Sequence, residues 1–222
     1  MATLFLLRHL KSQWNKDNRF TGWVDNPLSD EGMGQAKEIA AKVEAKKIDV
    51  VYSNVLVRCT ETVVRVFENI PGVYPLFVHM DGGKMQSWGN FEGFGKGDMS
   101  VYVSEKLNER YYGKIQGLNK AETIKKYGEQ LVHLWRRGYN DKPPGGESLK
   151  DVYKRAVPFF KKYIEKDLAA GKNVIVVASH NSLRALVKYM ENVSDADIVN
   201  VELPFGALVE YEFEAGKFSK LQ

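Results

Sequence analysis

The 222 residues carry 32 Lys and Arg against 28 Asp and Glu, a formal charge of +4, with 44% hydrophobic and 27% charged side chains. That balance excludes global disorder and leaves apolar surface for a sizeable core. One cysteine, Cys59, excludes an internal disulfide framework and any multi-cysteine metal site. No apolar run approaches the roughly 20 residues that span a bilayer, and the opening MATLFLLRHL lacks a basic n-region and a small-residue cleavage site. A cytoplasmic protein is therefore expected, without nucleic-acid or membrane partners, because acidic and basic residues are interspersed.

In chain order, residues 4–7 form a short continuous apolar run that suits a strand buried on both faces, ending at Arg8-His9. Residues 29–47 space Ala36, Ile39, Ala40 and Val43 as one helix face behind Ser29 as N-cap. A strand is expected over 49–53 and a helix over 57–70. Residues 72–104, with six glycines between Gly82 and Gly97, have no clear periodicity and read as an insertion or lid. Gly93-Phe94-Gly95-Lys96-Gly97 fails as a phosphate loop, since Gly97 stands where Ser or Thr is required. A long helix over 148–170 is expected to bend at Pro158. A branched strand over 174–178 ends at Ser179-His180, and a helix follows over 182–192. Strand and helix alternate, which predicts an α/β fold: a three-layer α/β/α sandwich with a mostly parallel central sheet in a single domain.

Chemistry concentrates at the strand ends. His79 and His133 have no acidic or histidine partner at metal-ligand spacing and read as structural. His9 and His180 each lie just past a buried strand, where a doubly wound sheet places its ligand crevice. Arg8 beside His9 calls for an anion to neutralise it. Two such ends meeting would form a cationic phosphate pocket; the alternative is two ordinary polar strand ends.

The segment LLRHLKSQWNKDNRFTGWVDNPLSDEG at 6–32 resembles the opening of cofactor-dependent phosphoglycerate mutases, within the histidine phosphatase superfamily. YSNVLVRCTET at 52–62, LNERYYGKIQGLNKAET at 107–123, WRRGYNDKPPGGESLKD at 135–151 and NSLRALVKYMENVSDADI at 181–198 follow in the same order. The likeness covers most of the chain outside 72–104.

The resemblance implies a phosphoglycerate mutase-like fold and interconversion of 3-phosphoglycerate and 2-phosphoglycerate, a glycolytic and gluconeogenic reaction. It further implies priming by 2,3-bisphosphoglycerate, no metal, and a small phosphorylated carboxylate as substrate. It makes His9 the phosphorylated residue, Arg8 and Arg58 its phosphoryl-binding neighbours, and Glu109 the general acid/base. Ser12, Asn15, Thr21 and Gly22 become substrate contacts near the mouth; Tyr112, Lys120, Arg136 and Arg137 hold the carboxylate and far phosphate, with Asn181 beside them. Physical reasoning agrees: flanking arginines keep the imidazole neutral and stabilise phosphoryl oxygens, and burial is expected to raise Glu109 toward neutrality so that it shuttles a proton. Oligomeric state stays open, a homo-oligomer included.

Three positions depart from the family pattern. Leu10 and Lys11 stand where the family has Gly and Glu, so Leu10 is expected to crowd the pocket. In a gapless alignment Ser179 takes the place of the second catalytic histidine, and His180 falls one residue along, which normally turns a side chain to the other side. Loss of one preorganised donor costs about 2.7–4 kcal/mol in the transition state. The candidate catalytic set is therefore His9, Glu109, Arg8, Arg58, His180 and Ser179. The rival readings are a phosphomonoester phosphatase acting through His9 and a weakly active or non-catalytic binding protein on the same fold.

Overall fold

A computed structural model describes residues 1–221. The chain opens with β1 (Ala2–Arg8), whose apolar run divides between two layers: Leu4 and Leu6 face one core, Phe5 and Leu7 the other. A one-turn helix, α1 (Gln13–Lys16), is capped by Ser12. The Ser29 hydroxyl accepts from the Gly32 N–H and starts α2 (Asp30–Gly34), which runs through Gln35 into α3 (Ala36–Glu44) with Ala36, Ile39, Ala40 and Val43 buried, as the spacing predicts. β2 (Val50–Ser53) and α4 (Val57–Phe67) follow.

The 72–104 segment, expected as an insertion or lid, contains β3 (Tyr74–His79), a short exposed helix α5 (Gly83–Gly89), and β4 (Asp98–Val103). The two strands pair in parallel with each other, and β4 pairs with β2, so they extend the central sheet. Pro75 lacks the N–H for a ladder bond, and β3 accordingly lies at the sheet edge. The glycines belong to the connection between these strands.

A stretch with two 3₁₀ turns, Glu105–Leu107 and Gly113–Ile115, then leads to α6 (Lys120–Tyr127) and α7 (Glu129–Arg137). The long late helix is α8 (Leu149–Phe159), a π-helical turn Phe160–Ile164, and α9 (Glu165–Ala169). The π turn begins two residues after Pro158, whose missing N–H leaves the Lys154 carbonyl without its α-helical donor and where the sequence predicts a bend. β5 (Val174–Ala178) is wholly buried, and α10 (His180–Met190) begins two residues after it. A C-terminal hairpin, β6 (Leu208–Glu214) and β7 (Lys217–Lys220), turns at Ala215-Gly216, both at positive φ, as a tight two-residue hairpin requires.

The seven strands lie in the order β3-β4-β2-β5-β1-β6-β7, parallel from β3 to β1 and antiparallel beyond. On one face Leu4, Val174 and Val176 pack against Ala156, Leu183 and Leu186 of α8 and α10; on the other Phe5, Ile175 and Val177 meet Ile39, Val43, Val63 and Val66 of α3 and α4. Apolar burial at roughly 25 cal/mol per Å² holds the layers together. The C-terminal ends of β2, β5 and β1 thus lie side by side, and the chemistry-bearing residues follow them. No helix among the described residues is long and apolar enough to cross a membrane.

Candidate active site

A cavity of about 200 Å³ opens at those strand ends and is lined by Arg8, His9, Asn15, Thr21, Gly22, Arg58, Glu109, Tyr112, Lys120, Arg136, Arg137, His180 and Asn181 from among the expected residues. Arg19, Phe20, Glu202 and Phe205 complete the lining.

His9 follows β1 directly and is 3% exposed. Its Nδ1 lies 2.7 Å from the Leu10 carbonyl oxygen, which can only accept, so Nδ1 carries the hydrogen and Nε2 keeps its lone pair. Burial, then the charges of Arg58 and Arg8, hold the imidazole well below its ordinary pKa and therefore neutral. Arg58, in the first turn of α4, is anchored by donating to the Gly22 carbonyl at 2.7 Å and the Val24 carbonyl at 3.2 Å. Gly22 sits at φ +55°, and a Cβ there would lie 2.1 Å from Gln116 Oε1, which already accepts from the Trp23 N–H. Only glycine fits that turn. Arg8 donates to the Leu203 carbonyl at 2.5 Å and stacks 3.7 Å from the Phe205 ring centre, and burial lowers its pKa to about 10.

Glu109 is buried, yet its carboxyl is held below the usual range. Burial pushes it up; His180 where it protonates in acid, the Arg110 N–H, the Arg58 charge and the Asn181 amide outweigh that. The expected rise toward neutrality is thus corrected: Glu109 is ionised. Its Oε1 accepts from Arg110 N and Asn181 Nδ2, each at 2.7 Å, while Oε2 has one long contact, 3.4 Å to Asn181 N. Oε2 therefore has capacity to take a proton. The Glu109 carbonyl is fixed by Trp23 Nε1 at 2.6 Å and Arg155 Nη2 at 2.9 Å, and Arg155 also clamps the carbonyls of Lys106 and Asn108.

At the far end, Arg136 and Arg137 terminate α7. Two buried guanidiniums, which sequence reasoning missed, hold that helix end: Arg110 donates to the Arg136 carbonyl at 2.5 Å and Arg184 to the Arg137 carbonyl at 2.8 Å. Arg184 also donates to Asn181 Oδ1 at 2.9 Å, linking the far end to the Glu109 frame. Tyr112 OH accepts from Asn181 Nδ2 at 3.2 Å. Lys120, at the start of α6, is lowered to about 8 by burial and then by Arg136 and Arg8. Arg19, also missed, donates to the Gly117 carbonyl at 2.7 Å while stacked on Trp14. Glu202 and Phe205 come from the loop before β6, where the only local signal is a Pro-Phe-Gly turn.

Several expectations are corrected. His180, at the first residue of α10, lines the cavity, with Nε2 3.3 Å from Glu202 Oε1; burial lowers its pKa to about 4, so it is neutral. Ser179 is fully buried behind the lining, its hydroxyl 3.2 Å from Asn54 Nδ2 and 3.5 Å from Arg58 Nη2. The turn into α10 uses Ser179 as the N-cap position, so the next residue, not Ser179, reaches the pocket; strand alternation no longer applies there. Leu10 does not crowd the cavity: its side chain is 0% exposed and belongs to the core of the α3/α4 face, while its N–H donates to Thr62 Oγ1. Lys11 reaches away to Glu31, at 2.9 Å. Ser12 is consumed as the cap of α1, donating to Asn15 Oδ1 at 2.8 Å, and does not line the cavity. Nor does any residue of 72–104, so the expected lid has no part in the lining.

The lining sets six cationic side chains, Arg8, Arg19, Arg58, Lys120, Arg136 and Arg137, against two carboxylates, Glu109 and Glu202. Among the described residues Arg8 Nε and Arg58 Nε are buried donors without a hydrogen-bond partner, which is costly. A small compound with several anionic groups fits this donor set.

A sequence profile of the histidine phosphatase superfamily (branch 1) matches residues 4–94 and 90–222, and the chain belongs to that superfamily. A protein of Methanococcus vannielii named 2,3-bisphosphoglycerate-dependent phosphoglycerate mutase is 43% identical over 222 residues, covering 100% of this chain and 94% of its own length. One of the same name from Gloeothece citriformis is 42% identical over 221 residues, covering 96% and 95%. Among solved structures, a mycobacterial glucosyl-3-phosphoglycerate phosphatase superposes with a TM-score of 0.78 at 22% identity, covering 99% of this chain and 97% of its own. That last likeness concerns the fold alone.

Proposed function

We propose that this protein is a phosphoglycerate mutase that interconverts 3-phosphoglycerate and 2-phosphoglycerate through phospho-His9, in the cytoplasm. The observation that carries the reading is the neutral His9, with its Nε2 lone pair free, in one cavity with an ionised Glu109 and the cations at both ends. The identity to relatives named for this reaction supports it. Arg8, Arg19, Arg58, Lys120, Arg136 and Arg137 would hold 2,3-bisphosphoglycerate, which when bound supplies the phosphoryl group that primes His9.

With the phosphoryl on His9 Nε2, Arg8 and Arg58 neutralise its oxygens, the main demand of phosphoryl transfer. The free hydroxyl of a monophosphoglycerate attacks phosphorus, the N–P bond breaks with its electron pair returning to Nε2, and Glu109 Oε2 takes the hydroxyl proton. The far cations hold the other anionic group and let the doubly phosphorylated species turn end for end. Return of the second phosphoryl to Nε2 expels the other oxygen, to which Glu109 returns its proton. Tyr112, Asn15, Thr21, Gly22 and Asn181 shape the carbon-chain path, and neutral His180 faces the transferring group. Ser179 acts through Arg58, whose guanidinium it touches.

The experiment is a side-by-side assay of 2-phosphoglycerate formation and phosphate release from 3-phosphoglycerate, with and without 2,3-bisphosphoglycerate. Mutase turnover that requires the bisphosphate and greatly exceeds phosphate release is expected. Phosphate release as the dominant reaction would assign the site to a phosphatase.

A further inference from the structure

Glu202 is a carboxylate inside a cavity built to receive anions. Its polar partners are all pocket groups: it forms an ion pair with Arg137, lies 3.3 Å from His180 Nε2, and lies 3.9 Å from Arg8 Nη1. The same three groups border the transferring end and the far end. Glu202 therefore sits where an oxyanion of the ligand would gain most, and repels it from there.

Two carboxylates that belong to the frame of the site are held differently. Glu147 holds Arg155 through two hydrogen bonds, at 3.0 and 2.9 Å, and also accepts from the Tyr111 N–H. Glu109 is tied down by Arg110 N and Asn181. The Glu202 side chain is 47% exposed, more than any group it pairs with, and among the described residues no backbone N–H donates to its carboxylate. It is free to rotate into solvent once its cations are taken by a stronger oxyanion. Its loop is fixed independently, through Arg8 on the Leu203 carbonyl and the Phe205 ring on Arg8.

We infer that Glu202 is a built-in placeholder anion, seated between Arg8, Arg137 and His180 in the empty pocket and displaced by the incoming ligand. This rests on the reading that the pocket takes a phosphorylated carboxylate. The consequence is selectivity. A lone oxyanion such as inorganic phosphate must evict Glu202 for the contacts of a single seat, whereas a ligand bearing both phosphate and carboxylate spreads that cost over two linked seats. Glu202 thus disfavours inorganic phosphate and favours the substrate class.

The test is calorimetric titration of the unphosphorylated protein, wild type and Glu202→Gln, with inorganic phosphate and separately with 3-phosphoglycerate. Phosphate should bind Glu202→Gln at least about tenfold more tightly, the scale of removing one like charge near 4 Å. The preference for 3-phosphoglycerate over phosphate should narrow, and Glu202→Ala should behave the same way. Unchanged or weaker phosphate binding in both variants would make Glu202 a strut for Arg137 and overturn the placeholder while leaving the anion pocket intact. Failure of wild type and variants alike to bind either compound would overturn the pocket reading, and the placeholder with it.

Discussion

The two ends of the cavity are built by different means. The transferring end is made by residues that follow strands of the central sheet: His9 after β1, His180 after β5, and Arg58 in the helix after β2. Each inherits its place from the largely buried centre of the sheet. The far end hangs on a long connection of short helices, where Lys120 starts α6 and Arg136 and Arg137 end α7, whose last carbonyls are held by Arg110 and Arg184. On the proposed reaction, chemistry that needs precise distances would sit at the strand ends, and recognition that must release a turning intermediate on helices braced by buried guanidiniums.

Substitutions at the two ends should therefore fail differently. Glu109→Gln removes the proposed proton acceptor and should lower kcat by about 10² to 10⁴ with KM within a few-fold, read from steady-state kinetics. The double change Ser179→His with His180→Gly should lower kcat by roughly 100-fold, since it removes the pocket imidazole and forces a ring into the buried space between Asn54, Arg58 and Cys59. A rise in rate would mean that Ser179 holds the functional position after all. Arg136→Ala or Arg137→Ala acts on binding, and KM for 3-phosphoglycerate should rise about tenfold. Unchanged KM in both would return them to a solvated face.

Acidity sharpens the contrast further. His9 is held neutral and Glu109 ionised, so mild acid should leave the protonation states of both unchanged. Lys120, lowered to about 8, loses its charge as pH rises through that value, and an anionic ligand then loses a partner. KM should rise several-fold between pH 7 and 9 while kcat holds, and Lys120→Arg should flatten the rise. The smallest catalytic effect is expected outside both ends. Leu10→Ala should leave kcat within about twofold but destabilise the fold by about 2–5 kcal/mol in denaturant titration, because Leu10 is a core residue.

The same division governs what could be read from the sequence. Runs such as Leu4 to Leu7 and Val174 to Ala178 announce buried strands, so His9 and His180 at their ends were legible as one crevice. β3 and β4 were not, because Pro75 and the intervening glycines interrupt the pattern of a strand pair at the sheet edge. The direction of Leu10 was hidden too: the backbone turns after Arg8, and the side chain enters the core that a neighbouring strand residue would have filled. Glu202 and Phe205 lie nearly 200 residues from His9 in the chain, in a loop without periodicity, and only tertiary folding brings them to Arg8. Arg110 and Arg184 read as ordinary surface cations until their carbonyl partners at the end of α7 are seen. Ser179 and His180 invert the alignment's expectation because the cap position absorbs one residue of register.

The central claim is that His9 Nε2 carries the phosphoryl group. Brief incubation with 2,3-bisphosphoglycerate, followed by proteolysis and mass spectrometry under alkaline conditions, tests it most directly. The account predicts an acid-labile phosphoryl adduct on the peptide containing His9, discharged by 3-phosphoglycerate and absent from His9→Ala, which should remain folded and inactive. An adduct on the His180 peptide instead, or undiminished mutase turnover by His9→Ala, would contradict it.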